Sequence, residues 1–305
     1  MEVNSQTGGR GRPDAEGGAR RPRRSLGQLA VQRLLGNRLA LVGGVVVLAF
    51  VVLAVLAPVI APYDPAKQNY LALNEAPSRA HLFGTDNLGR DIFSRLVYGA
   101  RTSVSVGVIT QLIILGIGLP VGAIAALAGR RTDNLLMRLV DVVYAFPDLL
   151  LIILLRSIFG GSIYMIFLAI GLAGWSDMAR LVRGQVLSLK EREYVLAAVA
   201  LGAGGREVLG RHLLPNAIGP VVVAVTFGVP RAIFAEAALS YIGVGVRPPT
   251  PSWGTMIQDG TLVISAYPHE VVSPALAIAL LMLAFTFLGD GLRDALDPRS
   301  ARAAR

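Results

Sequence analysis

Few residues of this 305-residue sequence are arranged for catalysis. The three histidines, His81, His212 and His269, lie far apart and lack the close spacing of metal ligands. There is no cysteine, which excludes a disulfide framework, iron–sulfur ligation and a thiol nucleophile. The sequence contains neither a G-x-x-x-x-G-K-[ST] phosphate-binding loop nor a G-x-S-x-G nucleophile elbow. We therefore predict that the chain is not an enzyme, holds no cofactor or metal, and depends on a partner for any ATP chemistry.

Charged side chains that interrupt apolar segments are the stronger candidates for function. Within a membrane such residues are costly, so they usually face protein or water. Asp141 and Asp148 are seven residues apart and lie on one helix side, but Arg138 is close enough in sequence to satisfy Asp141. Arg231 and Glu236, five residues apart, do not stack as an ion pair on a helix. Four such residues are retained as candidates: Asp148, Asp177, Arg231 and Glu236.

The elements that carry these residues are membrane spans. Hydrophobic residues make up 53% of the chain, charged residues only 16%, and the mean hydropathy is +0.58. A soluble domain carries roughly 25% charged residues. Residues 39–61 contain no ionisable side chain, and this length is enough for a helix to cross a bilayer core about 30 Å thick. The sequence therefore predicts an all-α, polytopic membrane protein.

Five further apolar segments complete a prediction of six transmembrane helices. They lie at about 102–128, 135–156, 163–184, 217–240 and 271–291. Residues 1–38 form a cytoplasmic tail, predicted to be disordered at first and then compatible with a membrane-surface helix. The first span, 39–61, is followed by the extracytoplasmic loop 62–101 and a five-helix core over 102–291. That core includes a cytoplasmic loop at 186–216 and an outer loop at 241–270, and residues 292–305 form a cytoplasmic C-terminal tail.

The distribution of basic residues predicts the orientation of the chain. With the N-terminus inside, the cytoplasmic segments hold 21 Arg and Lys residues and the outer segments hold 7. Because positive residues favour the cytoplasm, both termini are predicted to be cytoplasmic, in a bacterial inner or plasma membrane. The net charge of +9 then indicates contact with membrane lipid, not with nucleic acid.

The cytoplasmic segment at 193–216 is the most informative part of the sequence. Residues 194–201 are compatible with a helix, and Ala197, Ala198 and Gly202 leave its surface almost without side chains. Such a surface lets another protein approach the backbone closely. Gly202, Gly204 and Gly205 then interrupt the helix. Periodicity alone favours the alternative, a plain surface helix that joins two spans.

This segment resembles the cytoplasmic EAA loop of ABC importer permeases, with the pattern E-A-A-x3-G-x9-I-x-L-P. Leu196 stands at the position of the motif glutamate, and His212 at the position of the isoleucine. Four more segments resemble the C-type member of the permease pair in dipeptide/oligopeptide and nickel importers: Phe83–Val104, Gly174–Val195, Ala235–Ile257 and Gly289–Arg299. The similarity runs in order from about residue 30 to residue 300.

The resemblance implies a subunit of a type I ABC importer with that permease fold. A second related permease would complete a pathway for di- or oligopeptides, two ATPase subunits would bind ATP and Mg, and an extracytoplasmic binding protein would deliver the substrate. The four charged candidates would line the pathway or an interface. The ATPase would dock on Tyr194, Leu196, Ala197, Ala198, Gly202, Ala203, Gly205, Leu214 and Pro215.

Residues of the outer loops are candidates for the extracytoplasmic mouth of the pathway: Asp86, Asn87, Arg90, Asp91 and Trp253. A structural interpretation is favoured for residues 85–91, because they include turn formers and Asp91 is placed to cap the next helix. Within the family, a nickel or glutathione importer is the alternative function. A secondary transporter is the alternative of another class, but it would need coupling-ion sites and usually an internal repeat, which we do not find.

Overall fold

The computed structural model describes residues 26–160 and 162–296. The disordered tail predicted for the first residues therefore lies outside the described residues, as does the end of the C-terminal tail. The described residues form twelve α-helices and no strand, which confirms the all-α prediction. The helices are α1 (Leu26–Gly36), α2 (Arg38–Val55), α3 (Ala57–Ile60), α4 (Ile92–Leu127), α5 (Arg130–Tyr144), α6 (Asp148–Phe159), α7 (Ile163–Lys190), α8 (Glu193–Ala200), α9 (Gly205–Glu207), α10 (Leu214–Tyr241), α11 (Trp253–Thr261) and α12 (His269–Leu296).

Five helical segments of the described chain are long and apolar enough to cross a membrane. They are α2, α4, α7, the segment 205–241 that ends with α10, and α12. Helices α5 and α6 are bent by 90° at the break between them, and the count reaches the predicted six spans when this pair is taken as one span. The bend differs from the single span predicted for 135–156. Its cause is Pro147, which lacks an N–H donor and disfavours helical geometry at the residue before it.

The second spanning helix, α4, begins ten residues earlier than predicted, at Ile92. Asp91 caps it, since its Oδ2 accepts a hydrogen bond of 2.7 Å from the backbone N–H of Ser94. This confirms the capping prediction for Asp91. At 36 residues, α4 is about 54 Å long and extends beyond a bilayer core. Under the predicted orientation, its first turns belong to the extracytoplasmic part of the protein.

Small residues allow the spanning helices to approach each other closely. A Cβ atom on Gly118 of α4 would lie 2.8 Å from the carbonyl oxygen of Trp175 on α7. A Cβ atom on Gly43 of α2 would lie 2.5 Å from the carbonyl oxygen of Ala284 on α12. The backbones of these pairs are therefore in contact, as is typical of membrane helices that pack without a hydrophobic driving force.

The predicted orientation can be tested by labelling single cysteines, because the native chain has none. Leu71→Cys and Leu201→Cys are suitable, since these side chains are 97% and 90% exposed. We expect a membrane-impermeant thiol reagent to modify Cys at 71 only from outside intact cells, and Cys at 201 only after the cells are opened. Labelling of position 71 from the cytoplasm alone would contradict the topology.

Candidate functional site: coupling loop, membrane charges and outer ion cluster

The coupling loop, residues 186–216, joins α7 to α10. Helix α8 lies in its middle, and Val195 anchors it to the bundle with only 1% of its surface exposed. The helix ends at Ala200; Gly202, in the turn that follows, has a φ of +93° that favours glycine, and the N–H of Ala203 donates to the carbonyl of Ala198 at 3.0 Å. The chain then enters α10 through α9 and a π-helical turn, Val208–Leu213. Both ends of α8 are therefore tied to spanning helices.

The predicted docking residues form two groups in the structure. Tyr194, Leu196 and Ala197 are exposed on α8, and Ala198 and Ala203 are half-buried beside them. Gly202 and Gly205 are exposed in the turn that follows. Leu214 and Pro215 lie in the first turn of α10, where proline is tolerated because its missing N–H would have no helical partner. The ring of Tyr194 lies 6.4 Å from that of His212, so the π-helical turn is adjacent to α8.

Three of the four charged candidates lie together on an exposed face of the spanning helices. Asp148 begins α6 directly after the bend, Asp177 is on α7, and Arg231 is on α10. Asp148 is close enough to the other two for their charges to act on its carboxylate. All three are exposed, and no ion pair within 4.0 Å in the described part of the chain includes them. We call them the charged trio; charges at this depth must face water or another subunit.

Two ion pairs continue this charged face along α5 and α7. Arg180 donates to Asp141 at 2.8 Å, and its guanidinium lies 4.0 Å from the centre of the Tyr144 ring. Arg183 makes two hydrogen bonds to Asp133, at 2.6 and 2.7 Å. The partner of Asp141 is therefore on another helix and is not the nearby Arg138, which sequence spacing suggested. None of the four ion-pair residues, Asp133, Asp141, Arg180 and Arg183, is among the retained candidates, although Asp141 was considered.

Glu236 is in a different environment from the charged trio. Its side chain is 0% exposed and accepts a 2.6 Å hydrogen bond from Ser240, with Ser103 at 3.5 Å. Ser240 in turn accepts a hydrogen bond of 3.0 Å from the N–H of Val246, in the loop after α10. Glu236 is therefore inside this subunit, where it connects α4, α10 and the outer loop. Its side chain therefore does not line an open surface of this subunit.

An ion cluster at the outer end of α4 contains two of the predicted mouth residues. Asp86 binds Arg90 at 2.7 Å and also binds Arg95. Asp259 on α11 binds the same two arginines, at 2.8 and 3.1 Å. Both arginine side chains are at most 7% exposed. The four residues, Asp86, Arg90, Arg95 and Asp259, are called the outer ion cluster; it joins the loop before α4 to α11.

The other predicted mouth residues serve mainly in packing. Asp91 caps α4 and also pairs with His81 at 2.8 Å. Asn87 is half-buried beside the cluster. Trp253 is 0% exposed, and its indole N–H donates to the carbonyl of Leu96 at 3.0 Å. The assignment of Trp253 to an open mouth was therefore wrong, because a fully buried side chain cannot line one.

No group of three or more His, Asp and Glu residues in the described ranges is placed to hold a metal ion. The exposed charges of the membrane region and the small-residue surface of α8 are thus the two arrangements that suggest a role. The first offers polar groups to a solute inside the membrane. The second, the small-residue surface of α8, would let a cytoplasmic protein lie close to the loop between α7 and α10, which carry Asp177 and Arg231.

Comparison with known proteins identifies the family. Residues 118–302 match the family described as binding-protein-dependent transport system inner membrane component, and residues 25–77 match the N-terminal TM domain of oligopeptide transport permease C. The oligopeptide transport system permease protein OppC of Bacillus subtilis is 45% identical over 275 residues, covering 90% of each chain. The dipeptide transport system permease protein DppC of the same organism is 44% identical over 284 residues, covering 93% of this chain and 89% of that one.

A solved structure supports the same fold. An inward-facing conformation of the MetNI methionine ABC transporter matches with a TM-score of 0.56 and 19% identity, over 67% of this chain and 96% of that chain. At this identity the likeness concerns the fold alone, which is that of an ABC importer permease. Together these matches confirm the resemblance inferred from the sequence motifs. The chain belongs to the family of binding-protein-dependent transport system inner membrane components, and it is a multi-pass membrane permease.

Proposed function

We propose that this protein is one of two permease subunits of an ATP-driven importer of di- or oligopeptides. The observation that carries the proposal is the charged trio, Asp148, Asp177 and Arg231, exposed and without ion-pair partners on the spanning helices of the described chain. A second permease placed against this face would enclose the charges in a polar pathway. Peptides carry an ammonium and a carboxylate group, so a pathway with both signs of charge suits them. The names of the relatives favour peptides over nickel or glutathione.

The partners in this proposal supply what the chain itself lacks. Two ATPase subunits bind ATP and Mg, since the sequence has no phosphate-binding loop, and this chain is their non-catalytic membrane anchor. An extracytoplasmic binding protein delivers the peptide to the outer side. A related second permease completes the pathway.

The coupling loop gives this assembly a mechanical connection. Helix α8 follows the end of α7 and precedes α10, and these two helices carry Asp177 and Arg231. When ATP binding closes the ATPase subunits, a shift of α8 would be transmitted to both helices and would change the spacing of the charges. The helices would have two arrangements, and both ATP, from the cytoplasmic side, and peptide, from the outer side, would shift the equilibrium between them.

Uptake of a labelled tripeptide into proteoliposomes that contain the complete transporter tests the proposal. We expect Asp148→Asn, Asp177→Asn and Arg231→Gln each to lower the uptake rate about tenfold, which corresponds to about 1.4 kcal/mol in the barrier. The matched control is Arg101→Gln, since Arg101 is exposed on α4, a helix that carries none of the trio. Unchanged uptake in all three variants would show that the trio does not line the pathway. If the wild-type transporter takes up nickel but no peptide, the proposal that peptides are the substrate is wrong.

A further inference from the structure

Glu270, at the start of α12, is a buried acidic residue without a partner. The residue is 3% exposed, and neither oxygen of its carboxyl group has a hydrogen-bond partner within the described chain. Two further atoms at the start of α12, Nε2 of His269 and Oγ of Ser273, are also buried and make no hydrogen bond to any described residue. An unpaired carboxylate in a buried site is strongly unfavourable, and protonation would leave its hydroxyl group without an acceptor. The start of α12 therefore lacks polar partners in this arrangement.

The outer ion cluster lies next to Glu270. All four charged groups of the cluster act on the carboxyl group of Glu270, and Arg95 acts on it more strongly than Arg90 does. A Cβ atom on Gly260, the residue after Asp259, would lie 2.9 Å from Cβ of Glu270, so the end of α11 packs directly against this residue. Three carboxylates thus surround two arginines. The two of the cluster are bound to them, and the third, Glu270, is in no ion pair of the described ranges.

Asp259 is the bound carboxylate that can be released at the lower cost. Its side chain is 31% exposed, whereas that of Asp86 is 4% exposed. A cavity of about 200 Å³ borders Asp259 and both arginines and gives the carboxylate room to turn toward water. Glu270 is in the opposite situation, because a buried charge without a partner is the costly case. An exchange of partners at Arg95 would therefore expose a carboxylate that is already half-exposed and pair one that is buried.

Helix α11 is the element that such an exchange would move. Its first residue, Trp253, is fixed in the core, and its indole N–H donates a 3.0 Å hydrogen bond to the carbonyl of Leu96. The ion pairs of Asp259 hold the other end of α11, and Leu262, which follows the helix, is 81% exposed. Release of Asp259 would free this end while the Trp253 end stays in place. The movement would also uncover Glu270.

We propose that Asp259 and Glu270 exchange places as partners of Arg95, and that this exchange opens and closes the outer side of the permease. In the first arrangement, that of this structure, Asp259 holds the end of α11 against α4. In the second, Asp259 turns to water, Glu270 binds Arg95, and the end of α11 moves away from α4. The inference rests on the proposed function, since an opening of the outer side serves transport. Two discrete sets of ion pairs give the bistable contact that a switch between two packed states needs.

Glu270→Gln tests the role of the buried carboxylate. We expect this variant to unfold at a temperature at least about 2 °C higher than wild type, because it removes the third negative charge. We also expect it to take up a labelled tripeptide about tenfold more slowly in the complete transporter, because a neutral amide does not replace the carboxylate at Arg95. The matched control is Glu75→Gln, since Glu75 is an exposed carboxylate in the loop before α4. Wild-type uptake by Glu270→Gln, or lower stability together with lower uptake, would overturn the proposal.

A distance between two spin labels measures the movement itself. Leu71→Cys and Leu262→Cys place the labels, since both side chains are exposed, in the complete transporter in nanodiscs with cysteine-free partner subunits. With ATP and vanadate, we expect wild type to gain a second distance that differs by at least about 5 Å, the pitch of one helical turn. Asp259→Asn should show the second distance without nucleotide, and Glu270→Gln should keep the first distance with nucleotide.

The distance measurement needs no peptide, so it separates this inference from the proposed function. A single distance in wild type and in Asp259→Asn under both conditions would overturn the exchange, and normal peptide uptake by the same wild-type preparation would leave the proposed function intact. If the distances change as expected but wild type takes up no peptide, the exchange stands and the proposed substrate is wrong.

Discussion

Replacing Ala197 by tryptophan is expected to weaken ATPase docking roughly 5- to 150-fold and to uncouple ATP hydrolysis from peptide uptake. Ala197 is exposed on α8, so the larger side chain meets nothing within this subunit. Against a closely fitting ATPase groove, overpacking typically costs about 1–3 kcal/mol. The measurement is an ATPase pull-down and an uptake assay on the same reconstituted preparations.

The control for this prediction is Val59→Trp, because Val59 is 83% exposed in α3, which follows the first span and is not part of the coupling loop. It should assemble and transport as wild type does. Assembly and uptake at wild-type levels in Ala197→Trp would mean that α8 only connects two spans. Gly202 is less suitable for this test. Its φ of +93° makes any larger residue there strain the backbone of the loop itself, so Gly202→Trp would disturb docking and local folding together.

Replacing Arg95 by methionine should destabilise the protein by about 3–5 kcal/mol, the largest effect expected from a single change outside the coupling loop. Arg95 is buried between Asp86 and Asp259, and its loss leaves both carboxylates with Arg90 as their sole arginine partner among the described residues. Thermal unfolding in detergent measures the change, with Arg101→Met on the same helix as the exposed control.

The same experiment separates a structural role of the outer ion cluster from a role at the mouth of the pathway. A structural cluster predicts that Arg95→Met lowers stability and that adding Asp86→Asn recovers part of it, since the second substitution removes the excess negative charge of two carboxylates that share Arg90. If Arg95→Met is as stable as Arg101→Met but no longer supports uptake, the cluster instead contacts the substrate or the binding protein.

The spans were predictable because their signal is local. A run of apolar residues long enough to cross a bilayer, with charges at its ends, is visible in any window of about 20 residues. The same is true of the cap at Asp91, which depends on residues adjacent in sequence. The bend between α5 and α6 was equally local in origin, at Pro147, but proline inside a span also occurs in continuous helices, as it does at Pro230 of α10. The sequence therefore shows where Pro147 lies but does not predict whether it breaks the helix or is accommodated within it.

Contacts between distant segments were not predictable from one sequence. Arg90 and Asp259 are 169 residues apart, and nothing in the sequence around either residue indicates that the two form an ion pair. Glu236 was correctly singled out as unusual, yet its serine partners come from two helices, and their hydroxyls have no pattern of their own. Trp253 illustrates the opposite case. Its proline-rich surroundings suggested an exposed loop, but the close approach of Gly99 makes room for its ring in the core.

The contact between α2 and α12 has a consequence for the biogenesis of the protein. Gly43 and Ala284, which bring the two backbones together, are separated by about 240 residues. At a synthesis rate of about 5–20 residues per second, the first span waits roughly 12 to 50 s in the bilayer before its partner is made. During that time the glycine surface of α2 is exposed to lipid or to the insertion machinery. Chains that terminate before α12 therefore keep this surface of α2 uncovered.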